Sequence, residues 1–136
     1  MEGTAEEIYA QGHPSFQNRA MFVVSNPGKP EAAFILEDEP LKRQDTIQQE
    51  VSLGYIARTR ADGPNNQNKT GDVSQMNAAF RSGAQIISTD YYRPDPRYKT
   101  LPNIFKNYTC KFPNGELARI NPISAAGKQS IGKIAE

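Results

Sequence analysis

Two arginines two residues apart, Arg58 and Arg60 in GYIARTRAD, carry the clearest chemical signal in this chain. Alternate residues of a β-strand project to the same side, so a strand through YIARTR would set both guanidiniums next to each other. Each guanidinium is a planar fork of charged donors suited to phosphate, and together they form a candidate clamp for one anion. The alternative leaves them solvated or paired with Asp62 and Asp90. A second strand end, STDYY, sets Thr89, Asp90 and Tyr91 at the corresponding position. Asp90 would accept from a ligand hydroxyl or orient Arg60, and Tyr91 would stack on a sugar-like ring. The structural alternatives are an Asp that caps a turn or an arginine and a Tyr that packs. The substrate-binding candidates are thus Arg58, Arg60, Asp90 and Tyr91.

Other polar residues offer less. His13 is the single histidine and has no acid or second histidine nearby to shape a base or a metal site, so it reads as a surface residue. The run Glu37, Asp38 and Glu39 lacks the spacing and glycine of a calcium hand and reads as solvated. Cys110, the single cysteine, cannot form an internal disulfide and reads as inert. Paired acidic, Cys/His and glycine-rich phosphate-loop motifs are absent.

The elements that must position the arginines follow from hydrophobic pattern and turn signals. Residues 20–25 read as a buried strand ended by NPGKP; AAFIL stays open between strand and helix. Asp45 would cap a helix bearing Ile47, Val51 and Leu53, with Gly54 at its left-handed exit. After the strand YIARTR comes a long polar loop, ADGPNNQNKTGD. Asp72 would then cap a helix with Val73, Met76, Ala79 and Phe80 on one face, and Gly83 stops it before the strand AQIISTD. Strand, helix, strand, helix, strand is the order of consecutive β/α units with parallel strands. Residues 1–17 form a polar leader, 18–92 the β/α units, and 93–136 an extended tail in which YTCKFPNGELARINP would make a hairpin about PNG. The last twelve residues read as frayed. Three parallel strands with two helices leave faces and edges uncovered, and the 136 residues are too few for a complete eight-stranded barrel of about 250 residues.

Composition narrows the partners. Sixteen Lys and Arg against fifteen Asp and Glu give a net charge of +1, without the positive field that dominates nucleic-acid binding. The sequence shows no run long enough for a transmembrane helix, and its N-terminus lacks the pattern of a signal peptide.

The ordered string GYIARTRADGPNNQNKTGDVSQMNAAFRSGAQIISTDYY, followed by YTCKFPNGELARINP, resembles the closing segment of the calcium-dependent phosphoinositide phospholipase C-like family. There an RTRAD stretch, a polar loop, an SGAQ helix end, a STDY strand end and an ARCNP-like tail element occur in this order. The likeness extends upstream through NRAMFVVSNPGKPEAAFI, from Asn18 to Pro122 in all. The resemblance implies an α/β fold, a partial TIM-type (β/α) barrel made of its last parallel strands and helices plus a C-terminal tail. It implies a phosphoric diester hydrolase that uses histidine acid/base chemistry and a bound Ca2+. The family's catalytic histidines and most calcium ligands lie in earlier strands, so no catalytic residue and no calcium ligand is assigned here. The ligand would be a phosphodiester or phosphoinositide headgroup, and the macromolecular partner the missing N-terminal barrel portion or a second copy. The alternative is a non-catalytic remnant that binds phosphate or inositol phosphate. Ile120 stands where the family commonly has cysteine, which leaves Cys110 without a partner and the compartment open, although full-length relatives include candidates for secretion.

Overall fold

The computed structural model of the protein describes residues 4–21, 23–63, 66–116 and 118–125. Its centre is a parallel sheet of three strands in the order β1 (Phe34–Leu36), β2 (Ile56–Arg60), β3 (Ile86–Ser88). Helix α2 (Pro40–Ser52) connects the first two strands. The short α3 (Gln67–Thr70) and α4 (Ser74–Ser82) connect the second pair. AAFIL thus resolves as strand: FIL is only three residues long, and the acidic run with Pro40 ends it.

Register and burial together assign the faces. Ile35 pairs with Ala57 and Thr59 with Ile87, while Leu36, Arg58 and Ile86 form one row and Arg60 pairs with Ser88. Ala57 and Thr59 are fully buried, and Ala57 joins Ile47, Val51 and Ala84 in a core flanked by Ile87 and Ile123. Helices α2 and α4 pack on each other and on β2, so they cover this face. The opposite face carries Arg58 and Arg60 toward the strand ends and Ile56 and Ile86 toward the strand starts. Those two isoleucines are 42% and 46% exposed, against the rule that parallel sheets bury both faces.

Several sequence expectations are corrected. The strand over 20–25 is reduced to a parallel bridge between Val24 and Phe34, although Val23 and Ser25 are buried. Pro27 follows at once and has no N–H to extend a ladder. Helix α2 starts at Pro40, not beyond Asp45: proline's fixed φ suits the first helical position. Its backbone leaves helical geometry at Arg43 (φ −120°, ψ 23°), two residues before Asp45. Gly54, at φ 96°, takes the left-handed exit as expected. The N-cap position of α4 is Val73, not Asp72, which stands one residue ahead of it and accepts the Ser74 N–H at 2.8 Å, and Ser74 holds its carboxyl below the ordinary value. Val73, however, is exposed, while Met76 and Ala79 are buried.

The flanks are more built than a leader and a tail. Residues Thr4–Ala10 form helix α1, whose Tyr9 hydroxyl accepts the Met21 N–H at 2.9 Å and whose ring lies under Arg19. In the tail, Phe105 and Tyr108 are buried. No hairpin forms among the described residues: PNG makes a single 3-10 turn, and the Cys110 N–H bonds instead to the Tyr91 carbonyl at 2.9 Å. Phe112 is drawn onto Phe80, ring centres 4.7 Å apart. The ARINP element closes α4, since Asn121 donates to the Gly83 carbonyl at 2.7 Å and Ile123 seats against Gly83. Eleven of the last twelve residues, 126–136, lie outside the described residues, so the expected fraying falls almost wholly beyond them.

Candidate functional site

The carboxyl ends of the strands gather the titratable side chains. Arg58 donates from Nη1 to the Asp38 carboxylate at 3.1 and 3.4 Å and from Nη2 to Ser88 Oγ at 2.7 Å. Asp38 leaves β1, so three successive strand ends meet at one guanidinium. Arg60 faces Asp90 more loosely, Nη2 to Oδ2 at 3.5 Å, and its Nε is buried with no partner among the described residues. Both side chains remain partly open to solvent, 25% for Arg58 and 33% for Arg60. Partly exposed arginines with incompletely used donors can still take up an anion.

Asp62 plays a different part from an arginine partner. It is fully buried, accepts the Thr89 hydroxyl at 2.5 Å and the Asp90 N–H at 2.8 Å, and makes no ion pair among the described residues. Thr89 Oγ1 in turn accepts the Tyr91 N–H at 2.9 Å. Tyr91 packs edge-on against Tyr108, centres 5.3 Å apart, and Tyr108 donates its hydroxyl to the Ala61 carbonyl at 3.3 Å. Burial, then the negative charges of Asp62, Asp90 and Asp95, push the Tyr91 hydroxyl above its ordinary value. Burial does the same to the Tyr108 hydroxyl and the Cys110 thiol. All three stay protonated near neutrality and act as neutral groups.

The structure thus brings Arg60 and Asp90 together, sets Arg58 on the same face, and turns Tyr91 toward the tail. Sequence reasoning missed Asp38 and Ser88 as partners of Arg58 and Tyr108 as the cover over Asp62. Asp38 was legible in principle, since it follows the strand beside β2. The acidic run is corrected at Glu37, which is 12% exposed and pairs with Arg43 at 2.7 Å; Asp38, paired with Arg58, and Glu39, paired with Lys42, stay exposed to solvent. His13 is partly exposed and its Nδ1 donates to the Gln17 carbonyl at 2.7 Å, in keeping with a surface residue.

A calcium ion takes roughly six to eight oxygen ligands, usually several from carboxylates. No group of three or more acidic, His or Cys side chains converges among the described residues. Asp62 is already engaged by a hydroxyl and an amide, and Asp38 by Arg58. These residues do not fit a calcium centre by themselves. A cavity of about 540 Å³ lies between the start of α4 and the tail, lined by Val73, Met76, Asn77, Tyr108 and Phe112. Among the described residues Lys111 is the single charged one in its lining, so the clustered strand-end groups, rather than this volume, mark the candidate site.

A parallel β/α sheet with arginine and acid gathered at adjacent strand ends defines an α/β protein whose charged side chains cluster where such sheets can place ligands. Its sequence is more particular: the profile of the family described as "Phosphoinositide phospholipase C, Ca2+-dependent" matches residues 1–122. The chain belongs to this family and corresponds to its C-terminal portion. The match takes in α1, so the family likeness begins ahead of Asn18. Comparison with curated proteins and with solved structures returned no match.

Proposed function

We propose that the chain supplies the headgroup-binding strand ends of a phosphoinositide phospholipase C-like phosphodiester hydrolase. Its sheet would be the closing part of a TIM-type barrel whose acid/base histidines and calcium ligands come from elsewhere. One observation carries this reading: among the described residues, Arg58 and Arg60 stand together on the face of β2 away from α2 and α4, at its carboxyl end, with Arg60 Nε unpartnered. In such a site the two guanidiniums hold the phosphodiester and stabilise charge as it builds on phosphorus. Asp90, 67% exposed, accepts from a ring hydroxyl, and Tyr91 borders the ring.

A second reading, an inositol-phosphate-binding module without turnover, is favoured by the histidine count. The sole histidine, His13, is occupied by the Gln17 carbonyl. Calorimetric titration with myo-inositol 1-phosphate tests the binding common to both. Wild type should bind and Arg58→Ala/Arg60→Ala should not; equal affinity in the two would dismiss the site. Phosphodiester cleavage with and without added Ca2+ then separates the readings.

A further inference from the structure

Asp62 is the group that the proposed binding chemistry leaves unused. A fully buried carboxylate without a cation is costly and is expected only where its hydrogen bonds are made good. Those bonds run in one direction, from the end of β2 into the turn after β3. The Thr89 hydroxyl and the Asp90 N–H point at the two carboxylate oxygens, and Thr89 Oγ1 then receives the Tyr91 N–H. Three consecutive residues, 89–91, are therefore fixed through one side chain. Tyr108, 2% exposed, closes the tail over the strand end through the Ala61 carbonyl. The arginines depend on it little: both lie on β2, Arg58 is held by Asp38 and Ser88 without involving Asp62, and Arg60 meets Asp90 only loosely, at 3.5 Å.

We propose that Asp62 is a positioning residue that sets the polyol selectivity of the site, holding Asp90 and Tyr91 where a ring hydroxyl is read while leaving the phosphate grip to the arginines. This rests on the headgroup-binding reading above. The ligand class is a cyclitol or sugar phosphate, as opposed to bare phosphate. Asp62→Ala would remove both acceptor oxygens and leave the Thr89 hydroxyl and the Asp90 N–H without the partner they share. The turn would then lose its register, although Arg58 and Arg60 would stay in place.

The test compares myo-inositol 1-phosphate with inorganic phosphate by calorimetry on the full chain. Wild type should prefer the inositol ester by about tenfold or more, a single well-made hydroxyl contact being enough for that ratio. Asp62→Ala should bind both ligands with the affinity wild type shows for phosphate, its phosphate affinity unchanged. Thr89→Val, which keeps Asp62 and the shape of residue 89, should show the same loss and keeps the proposal testable if Asp62→Ala fails to fold; Thr89→Ser should restore selectivity. A merely structural Asp62 would lower both affinities in parallel, and that result, or an unchanged ratio in folded variants, overturns the inference while leaving the arginine site intact. Wild type binding neither ligand would instead overturn the headgroup reading and the inference with it.

Discussion

Arg58 and Arg60 are the same residue two positions apart, yet their surroundings give them different tasks. Arg58 ties Asp38 and Ser88 together, whereas Arg60 has a 3.5 Å contact to an exposed Asp90 and a spare buried donor. Arg60→Ala should therefore weaken inositol phosphate binding by roughly 10- to 100-fold, the range for charged hydrogen bonds of about 1.5–3 kcal/mol, with little change in melting temperature. Arg58→Ala should lower both affinity and melting temperature, because it strips partners from two strand ends; calorimetry and thermal melts on the two variants check the contrast. Glu50 supplies a pH prediction. Its side chain is buried, Oε2 has no partner among the described residues, and burial followed by the Glu37 charge raises its carboxyl above the ordinary 4.5. The folded state then holds a proton that the unfolded chain releases, so this group's contribution to stability falls as pH rises from about 4.5 through the folded pKa. Glu50→Gln, fixed in the neutral form, should gain on wild type across that rise and match it below. Urea unfolding at a series of pH values reads the difference, and a less stable variant at pH 7 would show an ionised, well-partnered Glu50. The arginine pair was legible because strand alternation alone sets both on one side. The role of Asp62 was not, since its donors arrive from β3 and its cover from Tyr108, 46 positions along.

At the scale of elements, the alternation of strand and helix could be read from apolar runs bounded by glycine and proline, and β1, β2, β3, α2 and α4 all form. Their boundaries were less legible. Pro40 starts α2 earlier than side-chain capping suggests, and the tail's aromatic residues are taken up by packing on Phe80 and Tyr91 instead of pairing as a hairpin. Gly54 and Gly83 show how local and tertiary demands differ at equivalent helix exits. Both have positive φ, but a Cβ at Gly54 would meet nothing, while one at Gly83 would approach Ile123 Cβ to 2.9 Å. Gly54→Ala should cost about 1–2 kcal/mol, the left-handed penalty alone. Gly83→Ala should cost clearly more, and chemical denaturation of the two variants measures the gap. Adding Ile123→Ala to Gly83→Ala should narrow it if the clash is the cause.

The whole molecule is a parallel sheet covered by helices on one face, with Ile56 and Ile86 exposed on the other. Sequence length already implied such a deficit, because two helices cannot cover both faces of three parallel strands. Alone in solution the chain should associate as concentration rises, and Ile56→Lys/Ile86→Lys should return it to monomer. Sedimentation velocity would show this, and a monodisperse wild-type monomer at all concentrations would count against a sheet that needs a partner. The family assignment at this scale rests on a match across 1–122, whereas the site rests on geometry at three strand ends. The most direct test of their combination is an amide-shift map of the labelled chain titrated with myo-inositol 1-phosphate. The account predicts that shifts concentrate at Arg58, Arg60, Asp90 and Tyr91; shifts concentrated instead at Val73, Met76, Asn77 and Phe112 would place the ligand in the cavity beside α4 and contradict it.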